Sequence, residues 1–420
     1  FDHGNQDCDV MIILFLTSGL LLGWSLGAND AANVFGSAVG SKMLSFRKAA
    51  LIASVFVIIG AVVQGAGASD TLGRLGAVNA IGGSFTVALA AAIVVYMMTK
   101  FSLPVSTTQS IVGAIIGWNL FTGNTTDGGT LTRILSTWVS GPVLGAVFAV
   151  ILYILLKALK RKSAIHLVRF ESYIRTSLII VGAFGAYSLG ANNIANVMGV
   201  FIPAFDLNPL DLKLFILSSK QQLFLIGSLA IAAGIITYSH RVMQQVGNNI
   251  MELSSESALV VVLSQALVLF IFSSSALSSL IQKTGLPPIP MVPVSSTQVV
   301  IGSIIGIGLY RGARNVNFRV IGEIAAGWVL TPVIAGILTF FSLFFVKNIF
   351  GIEVGSKIIG SSPAGLPMAE TDPRISEIMQ YLILGLIAVG LISVLFYYLL
   401  ERKKNTELRK SEEKFWKNMK

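Results

Sequence analysis

A polar stretch set inside an apolar one, and then repeated, constrains this chain more than any other feature. Ser25-Leu26-Gly27-Ala28-Asn29-Asp30-Ala31-Ala32-Asn33-Val34-Phe35-Gly36 follows an apolar run, Val10 to Leu26, that reads as a membrane-spanning helix. It places an Asp and two Asn among Gly and Ala, where a lipid-facing helix would carry Leu and Ile. A carboxylate at that depth faces protein, water or an ion. Small residues around it let a second backbone come close, or let the helix open so that carbonyls reach a ligand. Ser188-Leu189-Gly190-Ala191-Asn192-Asn193-Ile194-Ala195-Asn196-Val197-Met198-Gly199 repeats the pattern 163 positions later. A polar cap at a membrane surface would account for one copy, but it has no reason to recur.

Composition agrees with a bilayer as solvent. Hydrophobic residues make up 54% of the 420 positions and charged ones 12%, the balance of an integral membrane protein. The single Cys8 excludes a disulfide framework and a Cys-based metal site. His3, His166 and His240 do not pair at metal-ligand spacing. The net charge of +10 fits basic cytoplasmic loops better than nucleic-acid binding. No Gly-x-x-x-x-Gly-Lys-Ser/Thr stretch occurs, so ATP-driven transport has no support. An enzyme is not expected, because neither a Ser/His/Asp set nor a recurring carboxylate pair can be assembled.

Runs long enough to cross a bilayer fall at 10–27, 49–66, 82–99, 103–120, 134–156, 177–201, 220–239, 257–280, 292–310, 320–346 and 380–400. With the N-terminus outside and each run crossing once, 22 of the 30 basic residues fall on the inside, as the positive-inside rule requires. The runs 103–120 and 292–310 open with Pro and hydroxyls, so each reads as a crossing that is discontinuous. Gly19, Gly23 and Gly27 form a ladder that favours close helix packing.

Two further anchors repeat. Leu103-Pro104-Val105-Ser106-Thr107-Thr108-Gln109 is matched by Val292-Pro293-Val294-Ser295-Ser296-Thr297-Gln298, and Trp138-Val139-Ser140-Gly141-Pro142 by Trp328-Val329-Leu330-Thr331-Pro332. The three offsets are 163, 189 and 190, so the order is kept and one connection in the second half is longer. Five crossings per half flip the second copy, which predicts an inverted repeat with a central site.

The paired signatures resemble those of the PiT inorganic phosphate transporters (solute carrier family 20), whose signature reads roughly Gly-Ala-Asn-Asp-Val-Ala-Asn-Ala. The second copy departs from it in carrying Asn193 where that family often has Asp. The resemblance implies that the paired elements form a phosphate and cation site, and the residue chemistry suits that role. A Pro at a helix start favours the first turn, where free backbone N–H groups and the dipole bind anions. Hydroxyls of Ser106, Thr107, Thr108, Ser295, Ser296 and Thr297 add donors, and Gln109 and Gln298 can meet either ion. Neither anchor contains Arg or Lys, so the positive charge must come from co-bound cations. Asp30, Asn33, Asn193 and Asn196 offer hard oxygens, as do the carbonyls of Ala28 and Ala191, and these suit Na⁺. The same family often carries acids on the helix after each signature. Here the first such position is Val57, and Glu256 is a candidate coupling residue.

The expected fold is an all-α polytopic membrane protein, with 11–12 transmembrane helices in two inverted-topology repeats and discontinuous helices around a central site. Residues 1–9 read as an exterior tail or cloning remnant, 10–156 as the first repeat and 157–176 as a basic cytoplasmic connector. Residues 177–346 read as the second repeat, 347–379 as an exterior loop, 380–400 as an added helix and 401–420 as a charged cytoplasmic tail. The expected function is import of inorganic phosphate by symport with Na⁺ through alternating access. Proton coupling, or another oxyanion such as sulfate, is the alternative. The expected setting is the inner (plasma) membrane, N-terminus outside and C-terminus cytoplasmic. No organic cofactor and no nucleic acid are expected; the partners are phosphate, Na⁺, the lipid bilayer and, as a candidate, a second copy of the chain.

Overall fold

The computed structural model describes residues 3–40, 42–76, 78–100, 105–162, 166–205, 207–213, 215–240, 242–243, 254–312, 318–355, 380–381 and 383–385. Pro104, most of the loop 347–379, most of the run 380–400 and the tail 401–420 lie outside the described residues. The first half contains α1 (His3–Gly40), α2 (Phe46–Gln64), α3 (Ala66–Gly76), α4 (Ile81–Lys100), α5 (Thr107–Thr122) and α6 (Gly128–Lys162). The second half opens with α7 (Leu167–Met198), a 3₁₀ turn (Ile202–Ala204) and a short hairpin pairing Leu210–Asp211 with Ile216–Leu217. It continues through α8 (Ser219–Thr237), α9 (Ser255–Ser273), α10 (Ser275–Lys283), α11 (Ser296–Tyr310) and α12 (Phe318–Asn348). Ten of the eleven apolar runs coincide with these helices. Seven helices (α2, α4, α6, α7, α8, α9 and α12) are each long and apolar enough to cross a membrane.

A buried polar cluster lies within the apolar interior, and long apolar stripes face outward. Asp30 is 2% exposed, whereas Val139 on α6 and Val329 on α12 are 69% and 68% exposed. Val143, Val147 and Ile151 extend the α6 stripe, and Val333, Ile337 and Phe341 that of α12. An apolar surface of that extent is stable only against lipid or protein.

The two helices after the hydroxyl anchors are short. α5 has 16 residues and α11 has 15, or about 24 and 22 Å at 1.5 Å per residue, against a hydrocarbon core of about 30 Å. Each starts in the interior because a serine ends it there. Ser106 and Ser295, both extended, accept hydrogen bonds from the backbone N–H of Gln109 and Gln298. The discontinuity expected from Pro and hydroxyls is thus a capped helix start. The signature helices α1 and α7, by contrast, run unbroken through Gly27–Asn33 and Gly190–Asn196. Ala28 and Ala191 therefore sit inside continuous helices and not in an opened segment. Alanine favours the helix, and the Asn and Asp side chains find partners on other helices instead of opening their own.

The connector is also shorter than its charges suggested. α6 continues to Lys162 and α7 begins at Leu167, so the basic residues Lys160, Arg161 and Lys162 complete the last turn of a helix, where the dipole favours cations.

Helix packing exchanges between the halves. A methyl added at Gly27 of α1 would lie 2.0 Å from the Ile231 carbonyl oxygen of α8, and one at Gly190 of α7 would lie 2.1 Å from that of Val57 of α2. Gly60 of α2 meets Tyr187 of α7, and Gly234 of α8 meets Trp24 of α1, each at 2.0 Å. Gly113 of α5 meets Pro332 of α12, and Gly302 of α11 meets Pro142 of α6, each at 2.1 Å. In every pair, a contact from the first half to the second recurs with the roles reversed. Exchange of this kind is what a two-fold relation produces.

Candidate functional site

The site forms where α1, α7 and the starts of α5 and α11 converge. Its framework is two matched links between each signature and its own half's anchor. Asn29 Nδ2 donates to the Val105 carbonyl at 3.0 Å, and Asn192 Oδ1 accepts from the Val294 N–H at 3.1 Å. Asn29 and Asn192 occupy the same signature position, and Val105 and Val294 each precede a capping serine. Each link fixes where a short helix begins.

A second set of bonds crosses between the halves. Asn33 Nδ2 donates to Thr297 Oγ1 at 3.1 Å and to Ser296 Oγ at 3.3 Å. Asn196, its counterpart 163 residues on, donates to Thr108 Oγ1 at 2.9 Å. Asp30 accepts from Ser296 Oγ at 2.7 Å, from Asn29 Nδ2 at 2.9 Å and from Asn193 Nδ2 at 3.4 Å. Asn196 also donates to Asn193 Oδ1 at 3.1 Å, and Thr297 Oγ1 to the Val105 carbonyl at 3.2 Å. All of these side chains are buried. Each signature is thereby tied to the other half's hydroxyl anchor.

Several polar atoms of the cluster still lack a partner among the described residues: Thr107 Oγ1, Gln109 Oε1, Gln298 Oε1, Asn196 Oδ1 and Asn192 Nδ2. A buried polar group left unsatisfied costs about 1–3 kcal/mol, and a concentration of such groups points to a ligand. The set holds oxygens for a cation and a hydroxyl and helix-start N–H groups for an anion. Asp30's partners are all neutral, so its charge calls for a cation or a proton from outside the protein.

Most of the residues expected from sequence do converge. Asp30, Asn33, Asn193, Asn196, Thr108, Ser296 and Thr297 are joined directly. Ser106 and Ser295 cap their helices beside them, with Thr107, Gln109 and Gln298 in the first turns. Glu256 stands apart, in the first turn of α9, paired with Lys160 near the end of α6. Sequence reasoning passed over Asn29 and Asn192 as ligand positioners, although their recurrence at one position of both signatures was the available signal.

Residues 26–339 match the family model described as the phosphate transporter family. A candidate phosphate permease of Thermococcus kodakarensis is 27% identical over 419 residues, covering 82% of this chain and 99% of its own. One from Pyrococcus horikoshii is 28% identical over 406 residues, covering 79% and 96%. A solved structure titled as the sodium-dependent phosphate transporter shares the fold with a TM-score of 0.66 at 23% identity, covering 81% of this chain and 100% of that one. The matched stretch contains the first signature from Leu26 on, the whole of the second, both hydroxyl anchors and both Trp–Pro segments. This multi-pass membrane chain belongs to the phosphate transporter family, a family of permeases and not of enzymes.

Proposed function

We propose that this protein is a secondary transporter that imports inorganic phosphate by symport with Na⁺, using the convergent cluster as an alternating-access site. The observation that carries this reading is the crossed pair of bonds Asn33–Thr297 and Asn196–Thr108. Each half contributes the groups that hold the other, so motion between the halves would make and break the site. The fold shared with a structure titled as a sodium-dependent transporter supports the choice of cation.

In this reading the backbone N–H groups at the starts of α5 and α11 receive phosphate, with Ser106, Thr107, Thr108, Ser295, Ser296 and Thr297 adding hydroxyls. Asp30, Asn33, Asn193 and Asn196 hold Na⁺ with oxygens, and Gln109 and Gln298 can meet either ion. The cations supply the charge that no Arg or Lys of the anchors supplies. The exchanged glycine contacts support two related repeats, 10–156 and 177–346; in this reading they are inverted across the inner membrane, with the N-terminus outside and the C-terminus in the cytoplasm. Glu256 remains a candidate coupling residue at the periphery.

Phosphate uptake into proteoliposomes, with Na⁺, K⁺ and pH gradients imposed separately, tests the proposal. Uptake should follow the Na⁺ gradient. Uptake driven by a pH gradient in the absence of Na⁺ would move the coupling to protons, with Asp30 as the carrier.

A further inference from the structure

Gln265 lies near the middle of α9 with 0% of its surface exposed, and neither its Oε1 nor its Nε2 has a hydrogen-bond partner among the described residues. A buried amide with both ends unpaired is costly unless a ligand meets it. Its direction is set by its neighbours on the helix. Leu263, Leu267, Phe270 and Ile271 form the partly exposed stripe of α9, and at 100° per residue Gln265 points the opposite way. On one flank, Val261 clusters with Val300, Ile301 and Ile304 of α11. On the other, Val262 and Ala266 pack at Gly185 of α7, where Val34 of α1 also arrives, within 3.2–3.9 Å of a methyl placed there. The amide is therefore aimed into the junction of α1, α7 and α11. These are the helices that carry Asp30 and Asn33, Asn193 and Asn196, and Ser296 and Thr297.

The group has no twin. α4 and α9 begin 174 residues apart, the offset that also relates Gly60 to Gly234. The counterpart of Gln265 is then Ala91, whose carbonyl accepts from Ser110 Oγ at 3.1 Å. One half fills this position with a methyl; the other leaves an open amide.

We propose that Gln265 is a further cation ligand of the transport site, its Oε1 meeting an alkali cation on the Asn33 side of the cluster. The anion is disfavoured there. Val261 shares a cluster with Val300, Ile301, Ile304 and Ile307, which lie at or beyond the end of the first turn of α11, so the amide is set back from the N–H groups that would hold phosphate. An amide oxygen is also the hard, neutral donor that Na⁺ accepts. Gln265 thus makes two otherwise matched halves unequal toward the cation. The identity of the cation as cargo rests on the proposed function, whereas its binding to Gln265 can be measured alone.

The experiment is equilibrium binding of radiolabelled Na⁺, without phosphate, to the purified full chain and its Gln265→Leu, Gln265→Asn and Gln265→Glu variants, with melting temperatures alongside. Gln265→Leu should raise the half-saturating Na⁺ concentration fivefold or more while melting at the wild-type temperature or above, because an unpaired amide has been removed. Gln265→Glu should recover the affinity or tighten it. Phosphate binding at saturating Na⁺ should stay within twofold of wild type. Should the Leu variant fail to fold, the shorter amide of Gln265→Asn must still weaken Na⁺. Unchanged Na⁺ binding in a cooperatively melting Leu variant overturns the proposal, and so does a loss of phosphate binding with Na⁺ binding intact. Wild-type protein that binds Na⁺ but never phosphate would sink the proposed function while leaving this measurement valid.

Discussion

Asp30 is the one acid in either signature, and its carboxylate is held by Ser296, Asn29 and Asn193. A hydrogen bond to a charged group contributes about 1.5–3 kcal/mol, so Ser296→Ala should weaken the site without unfolding a chain stabilised along many helix contacts. Asp30→Asn keeps the size of the side chain but removes the charge and replaces one of two accepting oxygens with a donor. It should raise the half-saturating Na⁺ concentration in uptake far more than it changes phosphate affinity at saturating Na⁺; an unchanged Na⁺ titration would remove Asp30 from the cation site. The residues of the cluster were legible because they come twice: Asn33 and Asn196 could be matched before their partners were known. What could not be read was the crossing itself. Nothing in the local sequence says that Asn33 reaches Thr297 and not its own half's Thr108, because that choice is made by tertiary packing of α1 against α11.

At the scale of elements, glycines decide how closely helices pass. Gly113 and Gly302 abut the carbonyls of Pro332 and Pro142, while a methyl at Gly73 on α3 would meet open space. Gly113→Ala and Gly302→Ala should each destabilise by about 1–3 kcal/mol, the usual range for overpacking. Gly73→Ala should be neutral or stabilising by up to about 1 kcal/mol through helix propensity. Thermal melts in one detergent rank the three, and equal losses would show that the close contacts are not what the glycines provide.

The start of α6 offers an element-scale test against pH. The Asp127 carboxylate accepts from the Thr130 hydroxyl and from the backbone N–H groups of Thr130 and Gly129, and with Arg133 nearby these hold it below the usual carboxylate range. A depressed native value means that its contribution is present above the unfolded value of 3.8 and is lost as pH falls through the native one. Asp127→Asn, which still caps, should flatten that acid limb of the melting temperature; an unaltered limb assigns the acid sensitivity elsewhere. The sequence announced where helices lie, because apolar runs of bilayer length are hard to hide. It did not announce the ends of α6 and α7, since Lys and Arg serve equally as loop charges and as the last turn of a helix.

At the scale of the whole molecule, the two halves exchange contacts at six glycines and share one buried polar cluster. An anion held there by helix starts and hydroxyls alone would be poorly neutralised in a medium that excludes water. Cation and phosphate should therefore bind as linked ligands. A coupling free energy of about 1–3 kcal/mol, or roughly 5–150-fold in affinity, is typical between such sites. Linkage is reciprocal, so the factor by which saturating Na⁺ tightens phosphate must equal the factor by which saturating phosphate tightens Na⁺. Isotherms for each ion at several fixed concentrations of the other measure both factors on the same preparation. Replacing Thr107, whose hydroxyl has no partner among the described residues, by Val should weaken phosphate at every Na⁺ concentration and leave Na⁺ binding without phosphate unchanged. If phosphate affinity proves independent of Na⁺ while Thr107→Val still weakens it, the anion site stands and Na⁺ is not the ion that balances its charge.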